Sequence, residues 1–149
     1  MIIIDTNVIS ELQKPTPNPS VVSWLDSQEQ TNLYLTAITA AELMFGAFSL
    51  PTGRKASKLQ DAVSHIIEDQ FRGRILPFDA TASYYYGMRM AECRKSGLAV
   101  GIADGQIAAI AIANNLADIA TRDVLPFSAF RLNTINPFDD PDIINEGAK

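Results

Sequence analysis

Short apolar runs alternate along this chain with longer stretches in which apolar residues recur every three or four positions. The first run, Ile2-Ile3-Ile4, is typical of a strand buried on both faces of a parallel sheet. It ends at Asp5-Thr6-Asn7, residue types that open turns and cap helices. Asp5 is therefore predicted to lie at the carboxyl end of a central strand, where open α/β sheets bind their ligands.

Four further strands and six helices follow from the same patterns. The strands are predicted at 33–36, 74–77, 118–121 and 131–135, and Pro77 indicates that the third lies near a sheet edge. The helices are predicted at 7–13, from 19 onward, and at 39–49, 54–71, 80–96 and 102–115. Because strands and helices alternate, the predicted fold class is α/β, a three-layer α/β/α sandwich with a central, mostly parallel five-stranded sheet.

Length and composition limit the class of protein. The 149 residues are expected to form one domain, 1–149, whose acidic tail from about 139 to 149 is predicted to be disordered. No apolar run approaches the roughly 20 residues that a spanning helix needs, so no membrane association is predicted. No basic segment precedes Ile2, so no signal peptide is predicted either. The single cysteine, Cys93, excludes an internal disulfide and favours a cytoplasmic location.

The charge distribution leaves room for a polyanionic substrate. The net charge is −5, which argues against a general nucleic-acid coat protein. The segment from Arg54 to Lys95 nevertheless carries eight Lys or Arg and five Asp or Glu, a local net of +3. Solvated helix faces explain any single one of these charges equally well.

Four acidic residues have surroundings that do not suit a charge. Asp5 ends a buried strand, and Asp123 follows the fourth strand in Thr121-Arg122-Asp123. Glu42 lies in an otherwise apolar helical turn, and Asp104 opens a helix built of Ala and Ile. Each also has a purely structural interpretation: Asp5 and Asp123 as turn residues, Asp104 as a complement to the helix dipole, and Glu42 as part of a Thr39-x-x-Glu42 capping box.

Taken together, these positions predict one acidic crevice. Two of the acids follow strands, and the other two lie in first turns of helices that begin at the same edge of a parallel sheet. Carboxylates in such a cluster repel one another and need protons or a cation to persist. Oxygen ligands without His or Cys select Mg²⁺ or Mn²⁺. The chemistry indicated is hydrolysis of a phosphodiester by a metal-activated water.

Four motifs in order resemble the PIN-domain family, and in particular the VapC-type toxins of bacterial toxin–antitoxin modules in the FitB-like or plasmid-stability branch. The resemblance covers essentially the whole chain. The motifs are 3-IIDTNVISE-11, 37-AITAAEL-43, 102-IADGQIAA-109 and 120-ATRD-123, and the chain closes on a similar Ile135-Asn136-Pro137-Phe138.

The resemblance implies a Mg²⁺- or Mn²⁺-dependent endoribonuclease that a small antitoxin holds inactive. It implies a homodimer, and a higher assembly in which the antitoxin binds operator DNA. By matching positions, Asp5 and Asp104 are the principal metal ligands and Glu42 and Asp123 complete the set. The pocket-lining residues implied are Thr6, Asn7 and Thr121. Gly101 and Gly105 depart from relatives, which often carry Pro and a small residue such as Ala there.

Two other interpretations stay open. One is a catalytically silent PIN-like module that binds a metal or a partner. The other is a phosphatase with Asp5 as nucleophile, which is disfavoured because no second Asp lies two residues on. For the toxin interpretation, an antitoxin helix is expected on Leu43, Met44, Phe45 and Phe48, unless those residues are ordinary core. The basic residues expected near unpaired RNA are Arg89, Arg94, Lys95 and Arg122.

Overall fold

The computed structural model describes residues 1–139, so the predicted disorder of the acidic tail falls outside the described residues except at Asp139. The strands are β1 (Ile2–Ile4), β2 (Leu33–Thr36), β3 (Ile75–Leu76), β4 (Asp118–Ala120) and β5 (Asn133–Ile135). The helices are α1 (Thr6–Leu12), α2 (Pro19–Asp26), α3 (Ala37–Phe48), α4 (Arg54–His65), α5 (Ala80–Lys95), α6 (Ile102–Ala113) and α7 (Val124–Ala129).

All five strands are parallel and stand in the order β3-β2-β1-β4-β5. The predicted fold class is confirmed, and the sheet is fully rather than mostly parallel. β1 is central, and β3 lies at an edge, as Pro77 indicated. Because β1 pairs with β2 on one side and with β4 on the other, the order of strands reverses there. Ligands of open α/β sheets bind outside the carboxyl ends of strands at such a switch point.

Successive side chains of β1 enter opposite halves of the core. Ile4 packs with α1–α4 residues such as Val8 and Leu43, whereas Ile3 packs with α6 and α7 residues such as Ile107 and Phe127. Ile3 and Ile4 are both fully buried. Since strand side chains alternate between faces, the β-branched run covers both faces of the sheet and fixes the register that delivers Asp5 to its edge.

Three local predictions were wrong. The third helix begins at Ala37 rather than residue 39, because the Thr36 side chain accepts a hydrogen bond from the Thr39 N–H and caps it. The long fourth helix ends at His65 and continues as one π turn, Ile66–Gln70. Helix α7 was missed because Pro126 argues against a helix. Pro126 is its third residue, where no intrahelical N–H donor is needed.

No helix within the described part of the chain is both long and apolar enough to cross a membrane.

Candidate active site

A crevice of about 240 Å³ lies at the carboxyl edge of the sheet, over the ends of β1 and β4. No Lys or Arg lines it within residues 1–139. Every lining side chain carries oxygen, and four of the seven are acidic. The lining residues are Asp5, Thr6, Asn7, Ser10, Glu42, Asp104 and Asp123.

Asp5 forms the floor of the crevice and is 4% exposed. Its Oδ1 accepts the Thr6 N–H at 2.7 Å, and its Oδ2 accepts the Thr121 hydroxyl at 2.7 Å and the Asn7 amide at 3.1 Å. Burial raises the pKa of Asp5 to about 6; the bonds from Thr121 and Thr6 oppose the rise, and the charges of Asp104 and Glu42 add to it. Asp5 thus carries a proton more readily than an ordinary carboxyl.

Thr121, directly after β4, holds the Asp5 carboxyl in place through a hydrogen bond. Its side chain is fully buried, and the hydroxyl donates to Asp5 while accepting the Asn7 amide at 3.1 Å and the Asp123 N–H at 3.0 Å. A hydroxyl has one proton to donate and two lone pairs, so all its hydrogen-bonding capacity is used. Thr121 was predicted to line the pocket, and the structure places it behind Asp5 instead.

The Asn7 side chain ties α1 to the loop after β4. Its amide nitrogen lies 3.1 Å from Asp5 Oδ2, 3.1 Å from Thr121 Oγ1 and 3.2 Å from Asp123 Oδ2. Its amide oxygen accepts the Arg122 N–H at 3.2 Å. Asn7 is therefore the one described side chain that bonds to the carboxylates of both strand-end acids of the crevice.

Glu42 reaches the crevice from the first turns of α3. Its Oε1 accepts the Thr6 hydroxyl at 2.9 Å, and Thr6 Oγ1 lies 3.2 Å from Thr39 Oγ1. The capping-box interpretation of Glu42 was wrong, because Thr36 is the cap and Glu42 lies too far along the helix to serve it. The Glu42 side chain faces solvent and the Thr6 hydroxyl, so it does not cap α3.

Asp104 completes the set from the first turn of α6 and is half-buried. Burial raises its pKa, and the neighbouring charges of Asp123 and Glu42 raise it further. The charges of Asp104 and Glu42 also raise the pKa of Asp5, so the four carboxylates of the crevice interact electrostatically. Asp79, which also follows a strand, caps α5 by accepting the Ala82 N–H and does not line the crevice.

Comparison with known proteins decides the family. The model of the family described as "PIN domain" matches residues 2–129 of the chain. The chain belongs to the PIN-domain family. It is 45% identical over 139 residues to VapC ribonuclease Y4jK of Sinorhizobium fredii, across 93% of this chain and 99% of that one. It is 42% identical over 140 residues to toxin FitB of Neisseria gonorrhoeae, across 94% and 100%.

The fold comparison agrees. The solved structure of FitAB bound to an IR36 DNA fragment matches with a TM-score of 0.87 and 40% identity, across 93% of this chain and 96% of that one. The predicted resemblance to VapC-type toxins of the FitB-like branch is therefore confirmed. All seven crevice residues fall within the range that matches the PIN domain.

One lining residue of this PIN domain was missed. Ser10 lies one helical turn after Thr6 on α1, so the two share a helix face. The spacing of four within the first motif is the signal that could have found it. Thr39 was also missed as a partner of Thr6; it is fully buried and was assigned only to a capping box.

The donor set of the crevice fits a hard divalent cation. Four carboxylates and three hydroxyl or amide side chains supply oxygen, and two of the acids have raised pKa values that a cation would lower. Within residues 1–139, however, no three His, Cys, Asp or Glu side chains are already grouped to hold an ion.

Gly105 sets how closely α6, which carries Asp104, approaches α5. A Cβ there would lie 2.7 Å from Met90 Sδ and 3.1 Å from Tyr86 Cε2, whereas a Cβ at Gly46 in α3 would meet nothing within 4 Å. Both glycines are helical, so Ala would gain roughly 0.5–1 kcal/mol of helix propensity at each. We expect Gly46→Ala to stabilise the fold and Gly105→Ala to be less stable than Gly46→Ala by about 1–2 kcal/mol. Urea unfolding of the two variants checks this, and equal stabilities would contradict it.

Proposed function

We propose that this PIN domain is a Mg²⁺- or Mn²⁺-dependent endoribonuclease, the toxin of a type II toxin–antitoxin system. The observation that carries the proposal is the meeting of four acids from separate segments in one crevice whose described lining holds no basic side chain. The relatives named VapC ribonuclease and toxin FitB support the reaction class and the biological role.

Each acid has a distinct part in the proposed reaction. Asp5 and Asp104 would be the principal metal ligands, because they are the two buried or half-buried carboxyls whose pKa values are raised. Glu42 and Asp123, both exposed, would complete the ion's surroundings and orient water. A bound ion would polarise the phosphate and activate water for in-line attack.

The polar residues beneath the acids would keep this arrangement fixed. Thr121 and the Thr6 N–H hold the two oxygens of Asp5, and Asn7 links Asp5 to Asp123. Unpaired RNA is the proposed substrate, because only a splayed backbone can enter a crevice of this size and present its phosphate to the floor.

Metal binding and RNA cleavage test the proposal together. Calorimetry with Mn²⁺ is expected to show an affinity that falls at least about tenfold in both Asp5→Asn and Asp104→Asn. Mg²⁺-dependent cleavage of RNA is expected for the wild type and not for Asp104→Asn. Unchanged Mn²⁺ affinity in both variants would show that the site is misassigned. Metal binding without cleavage would favour the alternative of a catalytically silent module that binds a metal or a partner.

The proposal includes a small antitoxin as partner, a homodimer of the toxin, and a larger assembly that binds operator DNA through the antitoxin. The FitAB structure bound to DNA supports the assembly. We also propose a cytoplasmic location, where RNA is available and the lone, buried Cys93 would stay reduced.

The surface proposed for the antitoxin is the exposed face of α3. Met44, Phe45 and Phe48 are 39%, 76% and 70% exposed, whereas Leu43 is core, so the predicted patch keeps three of its four members. We expect Phe45→Ser with Phe48→Ser to weaken binding of the proposed antitoxin by on the order of a hundredfold. Tyr84→Ser, at a side chain that is 67% exposed on α5, is the matched control. Binding is measured by calorimetry. Equal losses of affinity in the double variant and in Tyr84→Ser would contradict the placement of the antitoxin on α3.

A further inference from the structure

Arg122 lies in the loop after β4, directly before a residue that lines the acidic crevice. It stands between Thr121, which supports Asp5, and Asp123, which lines the crevice, and its N–H donates to Asn7 Oδ1 at 3.2 Å. Its backbone is thus fixed by the Asn7 side chain, whose amide nitrogen bonds to Asp5 and Asp123. The side chain itself is exposed.

The Arg122 guanidinium is held in place by an aromatic ring rather than by an acid. Its central carbon lies 4.8 Å from the centroid of the Phe138 ring, and Phe138 is half-buried against the core. Within residues 1–139, no acid lies close enough to Arg122 to form an ion pair. Its charge does act on Glu11, whose pKa is held below its usual range chiefly by hydrogen bonds from Lys14 and the Asn18 N–H and only weakly by the charge of Arg122. Stacking of this kind orients a guanidinium and leaves the N–H groups of its edge available.

Arg74 shows how differently a structural arginine is used in this fold. It also lies over a ring, 5.1 Å from the Phe71 centroid, but its guanidinium donates to the backbone carbonyls of Gln30, Leu33 and Gln70. Among the described residues, none accepts a hydrogen bond from the Arg122 guanidinium, in contrast to Arg74.

An RNA backbone approaching the crevice meets four carboxylates and, in the described lining, no compensating side chain. A cation in the crevice would neutralise only the phosphate undergoing reaction. The adjoining phosphate needs a positive partner at the rim, and a guanidinium can bind a phosphate through two parallel N–H···O bonds.

We propose that Arg122, oriented by Phe138, binds the RNA phosphate next to the one that is cleaved. This inference rests on the proposed function and adds a substrate-binding residue to it. Of the four basic residues considered from the sequence, Arg122 alone is next in the chain to a lining residue, Asp123. Arg89 is paired with Glu92 at 3.0 Å, and Arg94 and Lys95 lie in the last turn of α5.

RNA binding at several salt concentrations tests the inference. The probe is a fluorescent single-stranded RNA of randomised sequence, titrated by anisotropy against Asp5→Asn protein so that it is not cleaved. Adding Arg122→Gln is expected to weaken binding on the order of tenfold and to reduce the slope of log K against log[salt] by about 0.7–1. Arg122→Lys should keep the slope but recover only part of the affinity, since an ammonium lacks the two-pronged geometry.

Two further variants separate a phosphate contact from packing or general charge. Phe138→Leu keeps an apolar contact and the charge, and is expected to weaken binding less than Arg122→Gln does, with the salt slope unchanged. Arg131→Gln makes the same charge change at an exposed position just before β5, at the edge of the parallel sheet opposite the crevice, and is expected to leave affinity within about twofold. In the unaltered active site, Arg122→Gln should raise KM more than it lowers kcat.

The outcomes distinguish this inference from the proposed function. If the wild type cleaves RNA and Arg122→Gln matches its parent in affinity, salt slope and KM, the assignment of Arg122 is wrong and the nuclease proposal stands. Equal losses in Arg122→Gln and Arg131→Gln would likewise overturn it in favour of general electrostatics. A wild type that neither binds nor cleaves RNA would overturn both.

Discussion

Glu42→Gln and Asp123→Asn are each expected to lower Mg²⁺-dependent RNA cleavage by at least about a hundredfold without lowering the melting temperature of the metal-free protein. Both side chains are exposed at the mouth of the crevice, so neither substitution opens a cavity. Each removes one of four like charges, and the fold is relieved of repulsion that burial of Asp5 and Asp104 makes stronger. The amides keep an oxygen that can accept the hydrogen bond from Thr6 or Asn7.

Thr36→Ala is the matched control for a structural effect at α3. Thr36 is the helix cap, so its loss should cost about 1 kcal/mol of stability, with the cleavage activity of the folded protein retained. If Glu42→Gln instead lost about 1 kcal/mol of stability and kept its activity, Glu42 would have a structural role and would not be part of the active site. Thermal melts and one cleavage assay on the three variants decide between these outcomes.

The meeting of the acids could be predicted from the sequence because it depends on topology more than on side-chain detail. The run Ile2-Ile3-Ile4 predicts a strand that is buried on both faces, and such a strand lies in the centre of a parallel sheet. Once β1 and β4 are neighbours, Asp5 and Asp123 must lie at the same edge, and helices that start there bring Glu42 and Asp104. No knowledge of rotamers enters that argument.

The supporting residues depend on atomic positions that a linear pattern does not contain. Thr121 and Asn7 are 114 positions apart, and their hydrogen bond exists only because β1 and β4 pair in one register. Local propensity also misplaced the cap of α3, since Thr36 and Thr39 are both suitable and only the end of β2 selects Thr36. Which carboxyl is buried is decided by packing, and burial is what raises the pKa of Asp5.

The buried Asp5 carboxyl is expected to make the metal-free protein less stable as the pH rises from about 4 to 7. Its pKa is raised from 3.8 to about 6, chiefly by burial, so between those values the folded protein holds a proton that the unfolded chain has released. Stability falls with rising pH wherever the native state binds more protons, and the loss is complete above the folded pKa. A shift of about two units corresponds to roughly 3 kcal/mol, and Asp5 is too buried for solvent to screen much of it.

Asp5→Asn removes this titration and tests its size. Urea unfolding in EDTA from pH 4.5 to 7.5 is expected to show that the wild type loses roughly 2 kcal/mol more than Asp5→Asn over that range. The difference between the two profiles isolates Asp5, because Asp104, whose pKa is also raised, titrates in both proteins. Parallel profiles would show that Asp5 has an ordinary pKa in the folded state.

Thr121→Val and Mg²⁺ should move the same profile in opposite directions. The Thr121 hydroxyl donates to Asp5 and favours its charged form, so its removal should shift the loss of stability to higher pH. Mg²⁺ binds the carboxylate form, so it should restore stability above pH 6 and lose its effect as Asp5 takes up its proton. A stabilisation by Mg²⁺ that is equal at pH 5 and pH 7 would mean that the ion binds elsewhere than on Asp5.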